Sequence, residues 1–345
     1  MNASFIQRGA VLGALTLIVT FGSASAAEYT WTAILIPSIG PIGTAFGIND
    51  KGQVAVNSAD GSKAGIYRNG IFTPLPATPA GYSKISVYGI NNAGAIVGGA
   101  YPPTDPTHEQ GFVLIGSKYT FFSRPAWSNT EARAIANSGL ITGNNYTDDL
   151  STYAGFVYNP ATNTFTDATP PGSGAGFSTA QGMNAAGRIS GDGRSADPNV
   201  GRYAFVWQQQ TIVKGTGQLM PFLARSQIAG ANSAARGIND AGLIVGFSNP
   251  GSPVGWVGND ARGFQLLVPP GGDAPGAGVA CEGINNLKQV STGRCRGCLP
   301  DFGRPHRQRN HVLTGRSSRS ALACVVFQSG RRHIAAKHQN FVRSP

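Results

Sequence analysis

Charge is scarce in this sequence, and what there is lies unevenly. Only 12% of the 345 residues are Asp, Glu, Lys or Arg. The formal charge is +11, yet residues 1–288 hold 16 Lys and Arg against 15 Asp and Glu. Residues 289–345 hold 11 Lys and Arg against one acid, Asp301. The basic excess belongs to the C-terminal stretch, so the body is not expected to carry a basic groove for nucleic acid. Histidine is scarcer still: of five, only His108 precedes residue 289, the others being His306, His311, His333 and His338. Most nucleophilic triads need such a base, so the body lacks their usual ingredients. Of four cysteines, only Cys281 lies before that boundary, which excludes a disulfide scaffold for the body. Beyond the first 26 residues no apolar run is long enough to span a bilayer.

Glycine is abundant instead, at 48 residues. That composition suits many short strands joined by tight turns and disfavours long amphipathic helices. The N-terminus has its own texture. Arg8 supplies a positive start, residues 11–21 an apolar stretch, and Ala24-Ser25-Ala26 a small-x-small cleavage pattern. These are the three regions of a secretory signal, with cleavage expected between Ala26 and Ala27. The expected localisation is secreted, periplasmic or cell-surface, with no transmembrane segment after cleavage; an uncleaved anchor is the alternative.

The strongest feature is self-similarity. Gly47-Ile48-Asn49-Asp50-Lys51-Gly52 recurs as Gly89–Gly94, Ala134–Gly139, Gly182–Gly187, Gly237–Gly242 and Gly283–Lys288. From Ile48 the apolar position returns at Ile90, Ile135, Met183, Ile238 and Ile284, at steps of 42, 45, 48, 55 and 46 residues. Asn49, Gly52, Asn91, Gly94, Asn184, Gly187, Asn239 and Gly242 are the expected structural turn residues, because Asn and Gly tolerate left-handed backbone angles in hairpins. Small residues before the isoleucine would let neighbouring sheets approach closely. Each hexad is followed by a short apolar strand, such as Ala95–Gly98 or Leu243–Gly246. An aromatic-rich strand comes next, as in Gly111–Leu114 or Ala204–Trp207, and a polar turn and last strand close the unit. Four short strands in 42–55 residues match one blade of a propeller. The predicted fold is all-β and β-propeller-like, with about six four-stranded blades. The alternating strand from Tyr29 to Ile36 would complete the last blade together with a strand from Ala321–Phe327. An open or incomplete ring is the alternative.

The run Ala45–Val54, followed by strands of the Ala204-Phe205-Val206-Trp207 type, resembles the extracellular HAF-repeat proteins of bacteria. Their His-Ala-Phe triplet stands here as Tyr203-Ala204-Phe205, without the histidine. The resemblance spans roughly residues 29–290 and implies a propeller-like fold, export and often surface display. It implies no activity and transfers no functional residue.

Three segments follow: a signal peptide over 1–26, a repeat domain over 27–290, and a basic tail over 291–345 that reads as a frame-shift product or a disordered extension. Cys295, Cys298, His306 and His311 are the weak metal candidates, with spacing too short for an ordinary zinc finger. A disulfide between Cys295 and Cys298, or between Cys281 and Cys324, is an option after export. In the body Asp105, His108 and Glu109 share a proline-rich loop, with His108 read as a surface residue. Glu131, Asp148, Asp149, Asp192 and Asp197 are the scattered acids that a glycosidase would draw on. The stretch Asp192–Asp197 reads as a solvated loop, and Asp50 and Asp240 as turn residues. No catalytic residue or cofactor is expected. The functional expectation is an exported, noncatalytic and monomeric binding or surface-interaction module for an extracellular ligand or surface polymer, with no specific nucleic-acid partner. The alternative is a propeller-type enzyme acting on an extracellular polysaccharide.

Overall fold

In the computed structural model, the described residues are 29–34, 36, 42–169, 173–195, 202–208, 218–219, 232–249, 253–259, 263–267, 278–295 and 324–328. They form antiparallel four-stranded blades, each wound outward from its first strand. The opening strand β1 is Tyr29–Ala33. Blade 1 is β2 (Ile42–Ile48), β3 (Val54–Ser58), β4 (Ala64–Arg68) and β5 (Ile71–Pro74). Blade 2 is β6 (Ser83–Ile90), β7 (Ile96–Tyr101), β8 (Gln110–Ile115) and β9 (Lys118–Phe122). Blade 3 is β10 (Asn129–Ile135), β11 (Ile141–Tyr146), β12 (Tyr153–Asn159) and β13 (Thr164–Asp167). Blade 4 is β14 (Ser173–Met183), β15 (Arg188–Ser195), β16 (Arg202–Gln208) and β17 (Gln218–Leu219). Blade 5 is β18 (Asn232–Ile238), β19 (Ile244–Asn249), β20 (Val254–Asn259) and β21 (Gly263–Leu267). Blade 6 combines β22 (Gly278–Ile284), β23 (Val290–Cys295) and β24 (Cys324–Gln328) with β1 as its outer strand.

The fold is therefore a six-bladed β-propeller, and its ring is closed. Asn285 Nδ2 of blade 6 donates to Asn49 O of blade 1 at 2.8 Å, and Ser291 Oγ donates to Phe46 O. The apolar core is divided among the joints between blades. Between blades 2 and 3, for example, Val97 and Val113 meet Ala132, Ile135, Ile141 and Phe156. Between blades 1 and 2, Ala55 meets Val87, Ile96, Phe112 and Leu114. A blade covered on both faces buries consecutive residues rather than alternate ones, which is why β3 is buried along its whole length.

Close approach at the axis depends on the residue before each isoleucine. A Cβ on Gly47 would come within 2.9 Å of Gly89 Cα, one on Gly89 within 2.9 Å of Ala134 Cα, and one on Gly283 within 3.2 Å of Gly47 Cα. The innermost strands thus touch backbone to backbone around the ring.

One expectation is corrected here. Cys281 is a buried free thiol. It pairs with Thr292, which in turn pairs with Cys324, so two strand spacings separate the cysteines. That is about 9.5 Å, beyond the roughly 7 Å that a disulfide can bridge.

Candidate axial site

The hexad builds one end of the axis. In five blades its asparagine uses both halves of the amide. Oδ1 accepts the backbone N–H four residues on: Gln53, Ala95, Arg188, Leu243 and Gln289, at 2.8–3.0 Å. Nδ2 reaches the next blade, where Asn49 donates to Asn91 O, Asn91 to Ala136 O, Asn184 to Asn239 O, and Asn239 to Asn285 O. A second relay lies just outside, through the following residue. The N–H of Asp50 donates to Asn92 Oδ1, that of Asn92 to Asn137 Oδ1, that of Ala185 to Asp240 Oδ1, that of Asp240 to Asn286 Oδ1, and that of Asn286 to Asp50 Oδ1. Both relays are interrupted at the joint of blades 3 and 4, where Ala136 and Ala185 have no amide or carboxylate to offer. The turns themselves carry Gly52, Gly94, Gly187 and Gly242 at φ of 71–85°. Asp50 and Asp240 are members of this rim. The depression they surround is floored by a collar of Ile48, Ile90, Ile135, Met183, Ile238 and Ile284.

Behind the collar, the innermost strand of each blade carries a register break one step before the glycine position, as at Val87/Gly89, Ala132/Ala134, Ala180/Gly182, Ala235/Gly237 and Cys281/Gly283. A bulge swings its extra residue away from the ladder, and here the extra residues are Tyr88, Arg133, Gln181, Arg236 and Glu282. Phe46 occupies the corresponding place in β2, whose register breaks between Ala45 and Ile48. They meet across the axis. Arg133 of blade 3 lies 5.3 Å over the Phe46 ring of blade 1 and 4.4 Å over Tyr88 of blade 2. Its Nε donates to Gln181 Oε1 of blade 4 at 2.8 Å and its Nη1 to Glu131 Oε1 at 3.0 Å. Arg236 Nε stands 3.7 Å from Glu282 Oε2 of blade 6.

The ends of blades 2 to 4 away from the hexads are aromatic. Tyr146 donates to Glu109 Oε2 at 2.5 Å and shares a hydrogen bond with Tyr101. Tyr146 stacks on Tyr153 at 5.4 Å, and Tyr153 packs against Phe177 at 5.1 Å. Arg202 lies 4.1 Å and Arg194 5.6 Å over Phe177, while Lys84 lies 4.8 Å over Tyr101. Glu109 is buried, and the absence of a side chain on Gly99 makes its room. Burial first, then the nearby Glu131 carboxylate, pushes the Glu109 carboxyl well above the ordinary range, and the same burial pushes the Tyr146 phenol up. Both effects favour the neutral form of Glu109 more than in an ordinary exposed glutamate.

His108, read as a surface residue, stands in a loop with 34% of its side chain exposed and joins that loop to a second one. Its Nδ1 meets Asp105 Oδ2 at 2.5 Å within blade 2, and its Nε2 meets Asp148 Oδ1 at 3.1 Å in blade 3. The two carboxylate hydrogen bonds raise the imidazole pKa, while the His108 contact takes Asp105 down to about 2. Asp149 lies in the same exposed loop, bonded to Thr147 and Ser151. Asp192 corrects the sequence reading. It is fully buried on β15, not in a solvated loop, because Thr179 and Arg202 bind its carboxylate. The aromatics of the third strands, Phe112, Phe156, Phe205, Trp207 and Trp256, are buried between blades. Among the metal candidates, Cys295 ends β23 opposite Gly278. Cys298, His306 and His311 lie outside the described residues, as do Asp197, Ala26 and Ala27. The residues that sequence reasoning missed are the six at the bulge. Their signal was present as a position before the collar that carries large polar or aromatic side chains of differing chemistry, whereas the residue after it is Gly or Ala in every copy.

No family model matches this chain, and no curated protein does. Among solved structures it is similar to a streptogramin B lyase, at 9% identity over 86% of this chain and 97% of that one, with a TM-score of 0.43. It is also similar to XC5397 from Xanthomonas campestris, a gluconolactonase, at 9% identity over 87% and 96%, TM-score 0.45. A third is AofleA from Arthrobotrys oligospora, at 10% identity over 79% and 84%, TM-score 0.45. Likeness at this level carries no argument about activity.

Proposed function

We propose that this chain is an exported, noncatalytic binding protein that engages an extracellular surface polymer at the aromatic mouth of the propeller. The observation that carries the reading is the row Tyr101, Tyr146, Tyr153 and Phe177, drawn from three blades and flanked by the exposed Lys84 and Arg194. Phe177 is buried and the Tyr146 hydroxyl is engaged by Glu109, so the half-buried Tyr101 and Tyr153 are the rings that would offer apolar contact and hydroxyls to a polyhydroxylated polymer. The carboxylates of the axis support binding over hydrolysis. Glu131 is held by Arg133, Asp192 by Arg202, and Glu282 lies beside Arg236, whereas glycoside hydrolysis needs a pair of carboxyls free to move protons. The signal-like residues 1–26 and the resemblance to HAF-repeat proteins support export and surface display. The test is affinity electrophoresis of the secreted protein through gels containing neutral and acidic polysaccharides. Retardation by at least one polymer, weakened about tenfold or more in Tyr153→Ala through loss of a stacking face, is the expected result. Free migration through every gel would overturn the reading.

Glu109 favours a second reading. A buried carboxyl biased toward its neutral form and hydrogen-bonded to a tyrosine suits a general acid. On that reading the wild-type protein releases reducing ends from a polysaccharide and Glu109→Gln does not.

A further inference from the structure

We infer that the axial channel contains a binding site for a small carboxylate, built on Arg236. The site goes beyond the aromatic mouth and uses different residues. Arg236 is the bulged residue of β18, aimed at the axis with 18% of its side chain exposed. Both flanks of its strand are covered by neighbouring blades, so that exposure faces the channel.

Arg236 and the two arginines whose charges it feels, Arg133 and Arg202, are served unequally. Arg133 donates to Gln181 and Glu131 and has aromatic rings nearby. Arg202 donates Nε to Asp192 Oδ2 at 2.8 Å. Arg236 has no hydrogen bond among the described residues. Its Nε is buried without a partner, and the nearest carboxylate oxygen, on Glu282, stands at 3.7 Å, too far for one. One face of the guanidinium is backed by the Phe247 ring at 5.2 Å.

A desolvated guanidinium with idle donors is costly unless something satisfies it. Burial lowers its hold on its proton; Glu282 and, less strongly, Asp192 oppose this, while the charges of Arg133 and Arg202 add to it. An anion in the channel would relieve both defects. The planar fork of Arg suits a carboxylate, which can accept two parallel N–H bonds. Phe46, Tyr88 and Gln181 are gathered around Arg133 in the same layer, so only a small body could stand behind that carboxylate. Glu282 would become a competitor for the guanidinium, which sets the affinity in the millimolar range rather than lower.

The test uses the Arg Nε–Hε resonances of the full mature chain, followed while sodium acetate and sodium D-glucuronate are added at constant ionic strength against chloride. Arg236→Lys assigns the Arg236 signal. The expected result is a saturable shift of that signal with a carboxylate, at a dissociation constant of about 1–10 mM, and not with chloride. Calorimetry with Arg236→Gln should show binding weakened about tenfold or more. A resonance that neither carboxylate moves, or that chloride or sulfate moves equally, overturns the inference. So does undiminished binding in Arg236→Gln. Should that variant fail to fold, the wild-type spectra decide alone. Loss of polymer retention in Tyr153→Ala leaves this result untouched, so the two readings fail separately.

Discussion

Asn285 is the side chain on which closure of the ring can be tested most directly. Its Nδ2 donates to Asn49 O at 2.8 Å and to Gln289 Oε1 at 2.6 Å, and its Oδ1 accepts Gln289 N–H at 2.8 Å. Asn285→Ala removes all three bonds. A hydrogen bond within a protein contributes about 1 kcal/mol net, and more where a buried partner is left unsatisfied. Asn49 O keeps its bond from Gly52 N at 3.0 Å, so the penalty there is limited. The expected loss is about 2–3 kcal/mol, read by urea unfolding of the mature chain. Asn91→Ala is the internal comparison. It removes two bonds, to Ala136 O at 3.2 Å and from Ala95 N at 2.9 Å, within one continuous run of chain. It should cost about 1–2 kcal/mol. The converse change is Ala136→Asn. The backbone turn at Ala136 already has the pattern of its sisters, with Ala136 N donating to Leu140 O at 2.9 Å and Gly139 N to Ala136 O at 3.0 Å. An asparagine there would accept Leu140 N–H and donate to Asn184 O. Set against side-chain ordering of about 1 kcal/mol, it should gain about 0.5–1 kcal/mol. Asn285→Ala within about 0.5 kcal/mol of wild type, or cheaper than Asn91→Ala, would refute the claim that these amides lock the ring.

Lys288 occupies the turn position filled by glycine in the other hexads, yet keeps φ at 61°. Lys288→Gly should therefore raise the unfolding free energy by about 1 kcal/mol, measured on the same urea curves. Gly89→Ala should lower it by about 1–3 kcal/mol, because the new methyl meets Ala134 Cα and Arg133 O at 2.9 Å and backbone atoms cannot easily yield. Glu109 binds a proton in the folded state that it loses when unfolded, because its folded pKa is raised. Stability should thus fall as pH rises above the ordinary Glu range, by about 1.4 kcal/mol per pH unit until the folded group itself ionises, and Glu109→Gln should flatten that slope. The His108 pKa is raised, so its clasp between blades 2 and 3 is complete below the unfolded value and is lost as pH rises through the folded one. Asp148→Asn should move the His108 imidazole titration to lower pH, followed by its ring proton resonances, while Asp105 still holds Nδ1.

The hexad could be read as a turn because its residues are local: asparagine, a polar residue and a left-handed glycine within six positions. The blade could be counted because its other strands follow at fixed distances. The outer strand Tyr29–Ala33 could be set aside for the last blade because it alternates and has no hexad before it. Burial of individual polar residues was less legible. Glu109 sits among prolines and turn formers, and nothing nearby announces that Gly99 leaves a slot for it or that Tyr146, 37 residues on, will donate to it. Asp192 follows a glycine and precedes another, which reads as loop. Its partner Thr179 lies across a hairpin, and Arg202 lies on the next strand.

The axial residues escape a motif search for a different reason. A site on the axis of a propeller takes one residue from each blade, so its members are separated by a whole repeat and never form a local pattern. What they share is a frame. Phe46, Tyr88, Arg133, Gln181, Arg236 and Glu282 each stand two residues before the collar residue, in a bulge that the following small residue helps to permit. The frame is repeated because every blade must approach its neighbours at the same distance. The residue it carries is released from that requirement, since the bulge turns it out of the ladder and into the channel. The position two before the collar is therefore where side chains of different blades come within reach of one another, as Arg133 reaches Phe46, Tyr88 and Gln181. In this propeller it brings together two arginines, a glutamate, a glutamine and two aromatic rings. Sequence alone shows that six such residues exist; only the closed ring shows that they meet.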